Sequence, residues 1–448
     1  MRPVLVLFVL AALVAAGCVS PEAKLDPRSV KLDTAAVQAN LSELVAGVPC
    51  DAKSVSAGKT SENLKQITNI AYEGEGIRGE IDARGDWLLT ARYADGGFEV
   101  TNIADPANPV RVGAYLTKVL HAYDVKWMPD NETAIVGHTD TVDLVDVGPV
   151  IHAASLDIIE KENITPILLD VWKYPSPGPG HTSTNMHMLT TGRINGVDYV
   201  FLAPNDDAGV MVAKLVGEGS ERKLQTIGRL GDDVLPGGPL GPHDMSLVWD
   251  EFTHKPVLYV ANGVEGWKAF DVSDPAKATM LAISPNIGPA QGYTHTAIGQ
   301  KVGDRRLVAT IQEVGVNTLS IFDATDWRTP ILLAQWQSDR TDPTTPEHNI
   351  QLLDGKLYVA HYTKGVFIFD LKKLDSKPLV GTLGLAPMAH YQPTKPTSAP
   401  PPSPVAFADV WDVVVHRGVV YVNDVDSGTD VVAFGCLTAG DSTLSSVN

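Results

Sequence analysis

Thiol chemistry is almost missing from this chain, which carries only Cys18, Cys50 and Cys436. None of the three sits in a Cys-x-x-Cys pair, which excludes a zinc ribbon and a thioredoxin-type redox motif. A glycine-rich phosphate loop, a His-Glu-x-x-His helix and a Gly-x-Ser-x-Gly nucleophile turn are also absent. Basic charge is short: 35 Lys and Arg stand against 53 Asp and Glu, a formal charge of -18. The bases are not interleaved with aromatics, and a surface of this sign repels phosphates and anionic head groups, so a nucleic-acid partner is excluded. The acids are scattered and read as a solubilising surface. Long hydrophobic runs are lacking too, apart from Val4 to Val14, which is too short to cross a bilayer as a mature helix.

That run follows Arg2 and precedes Ala15-Ala16-Gly17-Cys18, the layout of an export signal. A cysteine directly after small residues resembles a bacterial lipobox, although Ala15 stands where such boxes carry Leu. The resemblance implies cleavage of residues 1-17, lipidation of Cys18 and a polar, Ala/Ser-rich tether over 18-60. An ordinary secretory signal with an incidental cysteine is the alternative. Val19 is not an Asp of the inner-membrane retention type, so the expected location is the outer membrane or cell surface, through a lipid anchor. Loss of Arg2 with the signal takes the formal charge from -18 to about -19. An exported chain meets an oxidising compartment, so Cys50 and Cys436 are expected to pair; two separate buried thiols are the alternative.

The rest of the chain repeats. GFEVTNIADPANPVRVG from Gly97, GWKAFDVSDPAKATML from Gly266, TLSIFDATDWRTPILLAQW from Thr318 and GVFIFDLKKLDSKPLVG from Gly365 share one plan. Each is an alternating apolar strand, a turn rich in Asp, Pro or Lys, and a second short strand. Upstream of each lies another apolar run: WLLTARY, VLYVANG, RLVATIQ and KLYVAHY. Weaker copies are TAIVGHTDTVDLVDV, DYVFLAPNDDAGVMVAKL and VVYVNDVDSGTDVVAF. Period-2 alternation between turn residues marks strands, and four-strand units recurring every 45-70 residues or so mark a propeller.

The blade core, as in LYVAHYTKGVFIFDLKK, resembles the LVIVD repeat of bacterial surface propellers, a resemblance that covers roughly residues 64-437. It implies fold and says little of function, because propellers host unrelated activities. The expected fold is all-β, a seven-bladed β-propeller over 61-437, with blades near 73-117, 118-178, 180-233, 237-288, 289-339, 345-387 and 405-437. The seventh blade lacks a fourth strand, and LKQITNI from Leu64 is a spare strand at the front, so the propeller is expected to be closed by this N-terminal strand. A Cys50–Cys436 disulfide would then clasp that seam. Blade two carries an insertion near Gly148 to Thr165 with a short helix, a Pro-rich insert fills 388-404, and a tail occupies 438-448.

Five blades start their first strand with histidine: His121, His187, His243, His295 and His348. Second strands end at Arg92, His138, Asn262, His361 and Asp424, with Asn205 and Gln312 nearly in register. In a propeller both sets meet at one mouth of the central channel, which makes that mouth the candidate ligand site. Imidazole suits transition metals, so His121, His187, His243, His295 and His348 are the candidate metal ligands. The alternatives are a structural role, each histidine bonding a neighbouring blade, or a mouth for an anion or polar ligand with Arg92 and the histidines as donors. Asp124, Asp244, Asn349 and Asp412 are partners of the imidazoles or braces of the turns. Histidine rings also occur in copper-dependent propellers such as methanethiol oxidase, but no motif of theirs is present. No catalytic residue can be assigned. The favoured reading is a lipid-anchored, non-enzymatic scaffold that binds a protein, peptide or glycan; the alternative is a metal-dependent periplasmic or surface oxidoreductase or hydrolase. Trp127, Trp249, Trp267 and Trp411 are expected to pack in the blades, and Asp424 to Asp430 to form a polar turn rather than a calcium loop.

Overall fold

The computed structural model describes residues 43–56, 58–72, 77–117, 121–173, 186–204, 208–231, 233–235, 241–285, 292–314, 318–338, 347–374, 385–394, 410–438 and 440–441. The signal segment, Cys18, Asn205 and most of the Pro-rich insert and tail lie outside them.

Among the described residues the strands form seven four-stranded antiparallel sheets. The innermost strands are Ile81–Arg84, Val125–Trp127, Met186–Ile194, Met245–Asp250, Tyr293–Val302, Ile350–Leu353 and Val410–His416. Each contacts the innermost strand of the next blade, and the last contacts the first, so the ring closes around a channel. Seven apolar clusters correspond to the seven interfaces between neighbouring blades. One, for example, joins Leu89, Phe98 and Val100 of blade one to Val125, Trp127 and Val136 of blade two. The middle strands of each blade are thus buried along nearly their whole length, as in Gly97–Asn102 and Gly428–Phe434, whereas outermost strands such as Ile167–Lys173 are largely exposed.

The seam is built as the sequence leads one to expect. Leu64–Ile70 pairs antiparallel with Gly428–Phe434, Leu64 opposite Phe434, as the outermost strand of blade seven. This removes the open edge that an unfinished blade would present. Cys50 and Cys436 are disulfide-bonded beside it. Asn63 locks the same corner: its side-chain amide donates to the carbonyls of Cys50 (2.9 Å) and Met388 (3.2 Å). Gly435 is required there, because a Cβ would lie 2.0 Å from the Pro49 carbonyl oxygen. Replacing both cysteines by serine is expected to cost about 2–5 kcal/mol, since the bond closes a loop across nearly the whole chain. Thermal melts of oxidised protein and the double variant check this, and equal midpoints would contradict it.

One boundary moves. Blade six has its fourth strand at Ala389–Tyr391, inside the stretch assigned from sequence to the Pro-rich insert. The buried Ala-His-Tyr triplet pairs before Pro393 can interrupt it. The insertion of blade two holds two short helices, Gly148–Ile151 and Leu156–Glu162; the second is capped by the Ser155 hydroxyl, which accepts from the Ile158 N–H.

Candidate functional site at the channel mouth

Backbone pairing fixes the register of the inner strands. The N–H groups of Gly79, His243 and His348 donate to Ala91, Ala261 and Ala360 of their own second strands, and Gly137 donates to the Asp124 carbonyl. The position occupied by His243 and His348 is therefore held by Gly79 in blade one and Tyr123 in blade two. His187, His295 and Trp411 complete the set. Blade one can only place glycine there, because a Cβ on Gly79 would lie 2.2 Å from the Tyr123 carbonyl oxygen. Tyr93 fills the gap.

The result is a closed ring of aromatic side chains around the channel. Centroids lie 4.9 Å apart for Tyr93–Tyr123, 4.6 Å for Tyr123–His187, and 4.2 Å for both His187–His243 and His243–His295. The circuit continues at 4.3 Å for His295–His348, 4.4 Å for His348–Trp411 and 6.3 Å for Trp411–Tyr93. Four consecutive members are imidazoles. His121 is not one of them: it lies two residues outside the ring position, with φ of 65°, its ring against Tyr93 at 5.0 Å. Trp411, expected to pack inside a blade, is half-buried and belongs to the ring.

The imidazoles converge. Ligand atoms of His187, His243 and His295 lie within 4.8 Å of one another, as do those of His295, Glu313 and His348. His243 and His295 are buried, yet among the described residues His243 Nδ1 and His295 Nε2 have no hydrogen-bond partner. His348 Nδ1 donates to the Trp411 carbonyl at 2.8 Å, which fixes its tautomer and leaves Nε2 as the lone-pair nitrogen. Burial holds the His243 and His295 pKa values well below the ordinary range, and the neighbouring imidazoles add to it. Burial brings His348 down to about 3. These rings are therefore neutral at pH 7, the state a metal requires.

Stability follows in sign. His348 titrates near 6.5 when unfolded and near 3 when folded, so acid protonates the unfolded chain first. The stability tied to this group is whole above pH 6.5 and is lost as pH falls toward 3. His348→Gln removes the effect, so the stability gap between wild type and variant is expected to shrink as pH falls from 7 to 5. Urea melts at the two pH values test this; a constant gap would contradict it.

Beneath the ring lies a belt of polar groups. Lys126 Nζ bonds the carboxylates of Glu80 (3.0 Å) and Asp124. Burial alone would lower the Lys126 pKa, but Asp124 and Glu80 outweigh it and hold it well above the usual range. Burial raises Asp244 to about 7 and pushes Glu80 well up, helped by Asp124. These side chains join blades. Asp412 accepts the Ile81 N–H (3.1 Å), Asp82 that of Trp127 (2.8 Å) and Asp124 that of Leu189 (2.8 Å). Asn349 donates to Glu80 at 2.7 Å. Asp124, Asn349 and Asp412 therefore brace neighbouring inner strands.

Four of the second-strand residues singled out from sequence bond within their own blades, and His361 reaches back to blade five. Arg92 pairs with Asp95 and Glu99, His138 Nε2 lies 3.2 Å from Asp143, and Asn262 donates to Glu265 (3.1 Å). His361 Nε2 meets the Ser338 hydroxyl at 2.6 Å, and Asp424 accepts from the N–H groups of Asp426 (3.1 Å) and Ser427 (2.9 Å) in a polar turn. The mouth is instead reached by the next residue along: Tyr93 after Arg92, Glu313 after Gln312, Tyr362 after His361. Successive strand side chains point to opposite faces, so one residue changes the destination. Tyr362 donates to Glu313 Oε1 at 2.7 Å and packs on His348 at 5.0 Å, and Glu313 Oε2 lies 3.7 Å from His295 Nε2. Glu347, directly before His348, is fully buried, neither carboxylate oxygen is bonded among the described residues, and burial pushes its pKa to about 8.

No family model matches the chain, and no curated protein matches it. Solved structures do. Raptor of Chaetomium thermophilum aligns over 82% of this chain at 12% identity and a TM-score of 0.54, and the chain spans only 29% of that protein's length. The dihydro-heme d1 dehydrogenase NirN aligns over 80% of this chain and 68% of its own at 14% identity and a TM-score of 0.45. The periplasmic gluconolactonase PpgL of Pseudomonas aeruginosa aligns over 69% of this chain and 86% of its own at 14% identity, with a TM-score of 0.47. At these identities the likeness is one of fold alone, and the site must be read from its own residues.

Proposed function

We propose that this propeller is a metal-dependent enzyme of the cell envelope whose centre is a transition ion at the channel mouth. The observation that carries the reading is the convergence of three imidazoles, His187, His243 and His295, to within 4.8 Å. A nitrogen-rich set of this kind suits zinc, copper, iron or nickel. Three protein ligands leave a coordination position open, which is what separates a catalytic metal site from a structural one. The ion would act there as Lewis acid or redox centre. Tyr123, Tyr93 and Trp411 complete the rim and select a substrate small enough to pass between aromatic edges. Export and a lipid anchor on Cys18 belong to the same proposal. The Cys50–Cys436 bond supports them, because such bonds persist in oxidising compartments.

Elemental analysis of the full chain, gently purified and then offered zinc or copper, tests the reading. One ion per chain, lost in the His243→Ala/His295→Ala double variant, which breaks both convergent sets, is the expected result. A chain that takes up no metal would sink it and return the propeller to the class of binding scaffolds.

A further inference from the structure

The face opposite the histidine cluster holds a cavity of about 330 Å³ lined by Arg193, Asn195, Trp249, His254, Pro256 and Ser273. Arg193 and Trp249 lie at the far ends of the inner strands of blades three and four, with Pro256 at the start of blade four's second strand and Ser273 just after its third. From His187 to Ile194 the strand rises roughly 20 Å, so this site is separate from the mouth. We propose that the cavity binds a saccharide ring, with Trp249 as its stacking platform.

Trp249 is 50% exposed although it stands within a strand of a tightly packed blade, while Trp127 and Trp267 are buried. An indole left open in a concave site offers a flat apolar face. Pro256, opposite Trp249 in the hairpin, extends that face. The wall across from it is polar and held in place. Asn195 and Gly196 both have positive φ, 51° and 79°, the signature of a type I′ hairpin. From that turn Asn195 Nδ2 donates to the Ser273 carbonyl at 3.1 Å, tying blade three to blade four. Arg193 binds Asp198 through Nε (2.6 Å) and Nη2 (2.9 Å), which leaves Nη1 to donate.

These features select the ligand class. Among the described residues no carboxylate lines the cavity, its guanidinium is already paired with Asp198, and its other polar side chains, Asn195, His254 and Ser273, offer hydrogen bonds rather than a fixed charge. An apolar plate facing fixed amide, hydroxyl and guanidinium groups matches a molecule with one apolar face and a rim of hydroxyls. A pyranose ring has that form. The volume falls within the range of small-molecule sites.

The test is a tryptophan-fluorescence titration of the full chain with the methyl glycosides of glucose, galactose, mannose and N-acetylglucosamine. A saturable change with at least one of them is expected, weakened at least about fivefold in Trp249→Ala and partly restored in Trp249→Phe. The side chain is half exposed, so the variants should keep the wild-type circular dichroism and melting midpoint. If a protein-observed NMR titration also shows no saturation by any of the four, or if Trp249→Ala binds as wild type does, the proposal is overturned.

Discussion

His295→Ala is expected to strip the mouth of metal, weakening affinity at least about 100-fold, since loss even of a group that merely supports a ligand costs about 10–100-fold. His295 is the member shared by the two convergent sets, His187–His243–His295 and His295–Glu313–His348. Removing it breaks both. Removing His187 or His348 breaks only one, so those variants should keep more affinity. His121→Ala should leave the affinity unchanged, because its ring packs on Tyr93 outside the cluster. Calorimetric titration with zinc across the four variants measures the order. Equal loss in His121→Ala and His295→Ala would contradict the geometry.

Lys126→Met is expected to destabilise the fold by about 3–5 kcal/mol at pH 8, which is what removing one partner from a buried ion pair costs. Lys126 is the ammonium among Glu80, Asp124, Asp244 and Asp412 in the channel. Without it the carboxylates can only relieve their repulsion by taking up protons. Acids whose folded pKa is raised contribute stability that is present in acid and lost as pH rises through that value, here about 7 for Asp244. The penalty should therefore be small at pH 5 and large at pH 8. Paired urea melts test both ends, and a penalty independent of pH would contradict the assignment of the belt.

Much of this architecture was legible in the residues. Alternation bounded by turns gave the blades, and the missing strand after Phe434 pointed to Leu64–Ile70, because a propeller tolerates no open edge. The disulfide followed from having two thiols at the same seam. The mouth was half legible. His187, His243, His295 and His348 stand where expected, but His121 was aligned by residue type alone. Asp124 aligns with Asp244, Asn349 and Asp412, and that match would have put Tyr123 in the ring. Tyr93, Glu313 and Tyr362 were missed by one residue each. Apolar runs show where a strand ends but not which face its last side chain takes, and a bulge there reverses the parity. Shifts of register do occur at Met186/Met188 and Thr294/Thr296, next to two of the ring histidines. Trp249 was read as packing because its strand is apolar, and only the tertiary structure shows that its face is uncovered.

The most direct test of the metal centre is anomalous diffraction from crystals of the full chain soaked in zinc or copper at its absorption edge. One strong peak is expected at the channel mouth, about 2.0–2.1 Å from nitrogens of His187, His243 and His295. No peak there under conditions that load other surface sites would contradict it.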